Sequence, residues 1–163
     1  MLDLATFTAI HTIISIVAIL TGIPAVLALL GRQVAAIWTS SFLVTAVLTS
    51  ATGFGFPFTG VLPSHVVGAV ALVVLAVAIF ARVGAHFAGA WRWIYAAGLV
   101  ASLYFLIFVA IAQAFGKIPA LKAAAPTQSE PPFAIAQGAA LILFIGLGIA
   151  ACRKFRPGLT AAA

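Results

Sequence analysis

Acidic residues are almost missing from this sequence. Asp3 and Glu130 are the two carboxylate side chains among 163 residues, and neither lies inside an apolar run, which excludes proton or cation relays built on membrane-embedded carboxylates. The single cysteine, Cys152, excludes an internal disulfide and a paired-thiol metal site. A Walker loop, a dinucleotide fingerprint and the CxxC and HExxH motifs are also missing. These absences favour a non-enzymatic role.

Charge of either sign is scarce, and hydrophobic residues fill the space. Charged residues make up 6% of the chain and hydrophobic residues 65%, with a mean hydropathy of +1.29. The net charge of +6 does not indicate nucleic-acid binding, because the eight Lys and Arg are dispersed between and after apolar runs. A soluble domain of this size could not bury so much apolar surface, so we expect an integral membrane protein.

Five apolar runs reach or approach the roughly 20 residues that cross a hydrocarbon core about 30 Å thick. Because backbone polar groups in lipid need internal partners, each run predicts an α-helix. The sequence therefore predicts an all-α, polytopic integral membrane bundle of five transmembrane helices, forming a single domain over residues 1–163. The predicted helices cover about 6–30, 34–52, 64–83, 91–115 and 132–152.

The segments outside these runs carry further signals. The first run follows the acidic Asp3 instead of a basic segment and continues to Leu30, which predicts a retained helix rather than a cleaved signal peptide. Ser64 after Pro63 predicts a helix cap, and the run Ser129, Glu130, Pro131 and Pro132 predicts a capped, acid-biased entry to the last predicted helix. A short turn of helix is expected around Leu121.

Positive residues flank the apolar runs unequally. Five crossings place the termini on opposite sides, so the count of Lys and Arg on each side predicts the orientation. One side holds six, and the other two: Arg32, Arg82, Arg92, Arg153, Lys154 and Arg156 against Lys117 and Lys122. The positive-inside rule therefore predicts the N-terminus outside and the C-terminus inside a bacterial cytoplasmic membrane. Four aromatic side chains near the predicted inner face are typical of anchors that meet headgroups: Trp38, Trp91, Trp93 and Tyr95.

Hydroxyl side chains recur three and four residues apart on the first two predicted helices. The two stripes are Thr8, His11, Thr12 and Ser15, and then Ser41, Thr45, Thr49 and Thr52. A polar group in a bilayer is costly, so both stripes are expected to face helix partners or a cavity. Two interpretations are open: interhelical packing assisted by small residues, or a polar pocket.

Polar side chains from all five predicted helices share the outer third of the bundle, below an uncharged loop that carries Phe54, Phe56 and Phe58. This placement predicts an outward-facing pocket for a small apolar ligand, either a quinone or a lipid. Alternatively, the protein is an accessory subunit of a membrane complex. The candidate ligand-binding residues are His11, His65, Gln113, Gln137, Thr49, Thr52 and Phe56.

Two histidines could also hold a haem. A neutral imidazole near a helix N-terminus is a suitable iron ligand, so His11 and His65 could be the axial ligands of a mono-haem b cytochrome. His86 lies 21 residues beyond His65 on one predicted helix, about 30 Å away at 1.5 Å per residue, which excludes a three-histidine centre. A transporter of an uncharged solute is a further alternative. No other cofactor and no metal site is predicted.

Three stretches carry a resemblance to known proteins: WRWIY (91–95), KIPALKAAAPTQSEPPFAIAQ (117–137) and TGFGFPF (52–58). With them the chain resembles a family of small, uncharacterised bacterial inner-membrane proteins, which implies several membrane helices and no known activity. It is also loosely similar to di-haem b561-type membrane cytochromes. It departs from their pattern because it has too few histidines for two haems and places its one histidine pair on a single side.

Overall fold

Six α-helices make up the computed structural model, which describes residues 3–57 and 63–156, with the backbone alone at Pro63 and Ser64. They are α1 (Leu4–Leu30), α2 (Ala36–Thr52), α3 (Pro63–Val83), α4 (Trp91–Lys117), α5 (Pro119–Ala124) and α6 (Pro131–Lys154). A 3₁₀ turn, Gly53–Gly55, follows α2, and the described residues contain no strand. All except α5 are long and apolar enough to cross a membrane.

The all-helical prediction with five long helices is confirmed, and the predicted bounds agree within two residues at either end. α1 begins earlier than expected because Asp3 caps it, with its carboxylate accepting from the Thr6 amide at 3.4 Å. The short helix expected around Leu121 is α5. The predicted cap at Ser64 lies outside the described side chains, as do Phe58 and the chain after Arg156.

The five long helices alternate in direction. α1, α2, α3 and α4 form a closed ring in which each packs on the next and α4 returns to α1, while α6 packs on the outside of α4. α6 is the most peripheral helix, since none of its most apolar 18-residue stretch is buried. Two ends of the bundle follow from this alternation. We call them the basic end, with Arg32, Arg82, Arg92, Arg153, Lys154 and Arg156, and the histidine end, with His11, His65 and Lys117.

A close helix contact lies within the ring, at Gly22 of α1. A Cβ placed at Gly22 would lie 2.8 Å from ring carbons of Phe42 and from a methyl carbon of Leu103. Small residues let membrane helices approach closely, because lipid offers no hydrophobic drive for their association. Gly22 therefore sets the distance between α1 and its partners α2 and α4.

An aromatic cluster closes the basic end: Phe87, Tyr95 and Phe155 pack together with ring centroids 4.9 to 5.5 Å apart. Phe155 and Tyr95 are fully buried. The prediction that Tyr95 meets lipid headgroups is therefore wrong, because residues from the 84–90 turn and from the end of α6 cover it. Trp38 and Trp93, by contrast, are 49% and 48% exposed.

The predicted capped entry to α6 falls at Glu130. Glu130 occupies the cap position, but its carboxylate makes no bond to α6. It accepts instead from the Thr127 hydroxyl at 2.8 Å and from the Thr127 and Ser129 amides at 3.2 and 3.1 Å. Desolvation alone raises the pKa of this carboxyl, but these hydrogen bonds outweigh it and hold the pKa below the usual glutamate value.

Candidate functional site

A hydrogen bond between α1 and α2 marks the histidine end. Nδ1 of His11 lies 2.8 Å from the Thr52 hydroxyl oxygen, which itself lies 2.6 Å from the Leu48 carbonyl oxygen. A carbonyl accepts only, so the Thr52 hydroxyl donates to Leu48 and its oxygen accepts from Nδ1–H of His11. This network assigns the proton of a neutral His11 to Nδ1 and leaves Nε2 as an acceptor. No hydrogen-bond partner of Nε2 is found among the described residues.

The turn after α2, residues 53–56, covers both histidines with phenylalanine rings, and we call it the aromatic turn. Phe56 makes edge contacts with His11 and Phe7, at centroid distances of 5.1 and 5.0 Å. Phe54 turns to the other side and stacks on His65 at 5.7 Å, with an interplanar angle of 23°. Each imidazole therefore packs against a different ring of the same turn.

Two glycines allow this turn to lie so close to the helices. A Cβ on Gly55 would come within 2.8 Å of the Phe7 ring, and a Cβ on Gly68 of α3 within 3.4 Å of the Phe54 ring. The absence of these two Cβ atoms makes room for the rings. The aromatic turn is therefore held from both sides, by α1 and by α3.

Thr49 contributes a second polar group without a partner. Its side chain is buried, and its hydroxyl makes no hydrogen bond in the described structure. Thr49 precedes Thr52 by three residues and so lies one helical turn further into the bundle on the same side of α2. A buried hydroxyl without a partner costs about 1–3 kcal/mol, so Thr49 is suited to bonding with a bound molecule.

The two predicted glutamines are placed differently. Gln113 of α4 is exposed on the surface of the bundle. Gln137 of α6 donates from Nε2 to the Phe108 carbonyl oxygen at 3.1 Å, while its Oε1 is buried without a partner. Neither has a described contact with His11. The structure thus brings together His11, Thr52 and Phe56, with Thr49 below them and His65 on the far side of the turn, and leaves the glutamines apart.

Most hydroxyls of the predicted stripes bond within their own helix. Each donates to the carbonyl four residues earlier at 2.6 to 2.8 Å: Thr8, Thr12, Ser15, Thr45 and Thr52. A hydroxyl engaged in this way satisfies itself and leaves its methyl or Cβ surface to the neighbouring helix. This pattern favours the packing interpretation of the stripes, with Ser41 and the buried Thr49 as the exceptions.

The described His, Cys, Asp and Glu side chains do not form a cluster. In residues 3–57 and 63–156, no group of three or more His, Cys, Asp or Glu side chains could hold a metal ion. Comparison with protein-family models, curated proteins and solved structures finds no match to the chain. The functional argument therefore depends on the geometry of the site.

Proposed function

We propose that the histidine end binds a small, uncharged, largely apolar ligand that carries a carbonyl or hydroxyl group, such as a quinone or a lipid. One observation supports this proposal above the others. Two polar atoms on neighbouring helices, Nε2 of His11 and the hydroxyl of Thr49, have no hydrogen-bond partner among the described residues, and Thr49 lies one helical turn from Thr52, which bonds His11.

The chemistry of the two atoms is complementary. Nε2 of His11 accepts a hydrogen bond from a ligand hydroxyl, and the Thr49 hydroxyl donates one to a ligand carbonyl. Phe7 and Phe56 provide apolar ring surface beside them. Lys117, at the same end of the bundle, adds a positive charge that disfavours a cationic ligand. A ring with one or two oxygen substituents satisfies all of these features, and few polar groups in an apolar pocket are typical of small-molecule sites.

The proposal places this site on the outside of a bacterial cytoplasmic membrane, with the basic end inside. Six cations at the basic end against Lys117 and Lys122 at the other support this orientation. A green fluorescent protein fused after Ala163 is expected to fluoresce in the cytoplasm. An alkaline phosphatase that is active at the same position would contradict the orientation. The same ligand site would suit an accessory subunit of a membrane complex.

The ligand is tested by identifying what copurifies with the protein and by titrating it into variants. Thr49→Val removes the unpaired hydroxyl and keeps the side-chain shape, and His11→Leu removes Nε2. Each variant loses one hydrogen bond, so we expect binding about tenfold weaker for each, measured by titration of a short-chain quinone in detergent.

Thr12→Val is the matched control, because Thr12 is exposed and bonds its own helix. It should bind the quinone like the wild-type protein. Wild-type affinity in both Thr49→Val and His11→Leu would contradict the proposed site, as would failure of the wild-type protein to bind a quinone or retain a lipid at this end.

A mono-haem b cytochrome is the second candidate. One feature favours it: histidines that ligate metals are commonly held through the other ring nitrogen, as Thr52 holds Nδ1 of His11. His11 and His65 would be the ligands of the haem, which supplies one-electron chemistry when bound. A Soret band in the purified protein, expressed with ample haem, would support this candidate, and its absence rejects it. Transport of a solute gains no support, because Gly22, Phe42 and Leu103 pack tightly between the two ends.

A further inference from the structure

A groove with a volume of about 310 Å³ runs along α3 and α4 in the half of the bundle nearer the basic end. Its lining is apolar and includes Val73, Val74 and Val77 of α3 and Trp93, Ala97 and Ala101 of α4. Several lining residues are open to the surroundings, with Val73 64% and Trp93 48% exposed. In a membrane-spanning bundle this groove faces lipid.

Small residues of α4 produce the groove. Gly98 brings α4 close to α3, since a Cβ at Gly98 would lie 3.1 Å from the Cβ of Ala78. Beside this close contact, Ala97 and Ala101 are too short to fill the space between the valines of α3 and the indole of Trp93. The result is a surface groove along the two helices, with the valines of α3 and the indole of Trp93 at its sides and Ala97 and Ala101 at its base.

The length of the groove matches one leaflet of a bilayer. Trp93 and Ala101 are eight residues apart on α4, which is about 12 Å along the helix axis. Half of a hydrocarbon core about 30 Å thick is about 15 Å. Trp93 lies at the basic end of the groove, where an indole is typically found at the level of the headgroups. The groove therefore spans most of the leaflet on that side.

The end of the groove next to Trp93 lies at the basic end of the bundle, near cationic side chains and away from both acidic side chains. Arg92 precedes Trp93 but donates to the Phe155 carbonyl oxygen, whereas the last turn of α6 carries the exposed Arg153 and Lys154. That turn lies beside Trp93, because the Cys152 thiol donates to the Trp93 carbonyl oxygen at 3.5 Å. The chain's two acidic side chains, Asp3 and Glu130, are both at the histidine end, so neither pairs with these cations. An anionic group is the natural complement.

We infer that this groove holds one acyl chain of an anionic phospholipid from the leaflet at the basic end, with the phosphate near Arg153 and Lys154. The apolar lining accommodates the chain, the length fits one leaflet, and the charge selects the headgroup. This site is separate from the one proposed at the histidine end. It does not depend on which side of the membrane the basic end faces.

The test uses the full chain in nanodiscs that contain equal amounts of phosphatidylglycerol and phosphatidylcholine. After transfer to a mild detergent, native mass spectrometry counts the lipids that stay bound. The wild-type protein should retain one phosphatidylglycerol in clear preference to phosphatidylcholine. Ala97→Phe puts a ring into the groove and should lower this retention about tenfold. Ala101→Phe, at the other end of the groove, gives the same readout if Ala97→Phe does not fold.

Two further variants separate chain binding from headgroup binding. Ala139→Phe adds the same ring at an exposed position of α6 outside the groove and should retain phosphatidylglycerol like the wild-type protein. The double variant Arg153→Gln with Lys154→Gln should keep a lipid but lose the preference for phosphatidylglycerol. Unchanged retention in a folded Ala97→Phe or Ala101→Phe protein would overturn the inference. Equal retention of both lipids by the wild-type protein, or retention of neither, would overturn it as well.

Discussion

Replacement of Gly22 by leucine is expected to lower the free energy of unfolding by about 3 kcal/mol. Even one Cβ at this position would come within 2.8 Å of Phe42 and Leu103, and a whole leucine side chain requires α1 to move away from α2 and α4. Such a shift also loosens contacts along the rest of the α1–α2 pair, including the bond between His11 and Thr52. The ring of four helices has no other point in α1 where a glycine meets two large side chains.

Gly146→Leu provides the matched comparison, because the space around Gly146 of α6 is open for 4 Å. Leucine has a higher helix propensity than glycine, so this variant is expected to be as stable as the wild-type protein or slightly more stable. Reversible unfolding in mixed detergent micelles, followed by circular dichroism, measures the free energy of unfolding of both variants. Similar losses of unfolding free energy in the two variants would mean that replacing a helical glycine by leucine is itself destabilising. The close approach of α1 to its partners would then not be the cause.

Phe155→Ala is expected to destabilise the basic end by about 3 kcal/mol, the lower part of the range for buried phenylalanine. Phe155 is fully buried and packs on Phe87 and Tyr95, and its carbonyl oxygen accepts from the Arg92 guanidinium at 3.4 Å. Truncation leaves a cavity next to the fully buried phenol of Tyr95, and water can then reach it. The end of α6 loses its main attachment to α4 on that side.

Phe80→Ala is the control, since Phe80 lies near the same end but is 53% exposed. Its truncation should cost much less, since it removes one edge contact with Trp91. Unfolding free energies and the exchange of backbone amides at residues 150–155 report the difference. Equal effects of the two substitutions would show that the aromatic cluster adds nothing specific.

The helices could be predicted from the sequence because a membrane leaves the chain few options. An apolar run of about 20 residues must be helical in lipid, and its bounds fall where charges, prolines and glycines begin. Asp3 was not recognised as a cap, although an acidic residue just before a helical run is a standard signal. α5 could be expected from the segment around Leu121, which lies between prolines that break the chain.

The sequence predicts the depth of the candidate-site residues in the bundle but not which of their side chains touch. Counting residues from the helix ends places His11, Thr52 and Gln113 at one level of the bundle. It does not say how each helix is rotated, and the rotation follows from packing at positions such as Gly22. Gln113 therefore faces outward, whereas Thr52 meets His11. The wrong prediction for Tyr95 has the same cause. Its depth suggested contact with lipid headgroups, but the rotation of α4 buries its side chain.

The opposite directions of Phe54 and Phe56 have a local cause that sequence reading missed. The sequence places Phe54 and Phe56 on one uncharged loop and does not distinguish their directions. The 3₁₀ turn Gly53–Gly55 sends the first ring to α3 and the second to α1. Glycines at 55 and 68, which accept close ring contact, are the signal that could have indicated this arrangement.

The peripheral position of α6 bears on how the protein is made. The chain leaves the ribosome in order, so α1 to α4 can close their ring before α6 has been synthesised. α6 then docks onto a surface that is already complete, and Phe155 follows it into place. α6 would thus be added after the site between α1 and α2 has formed.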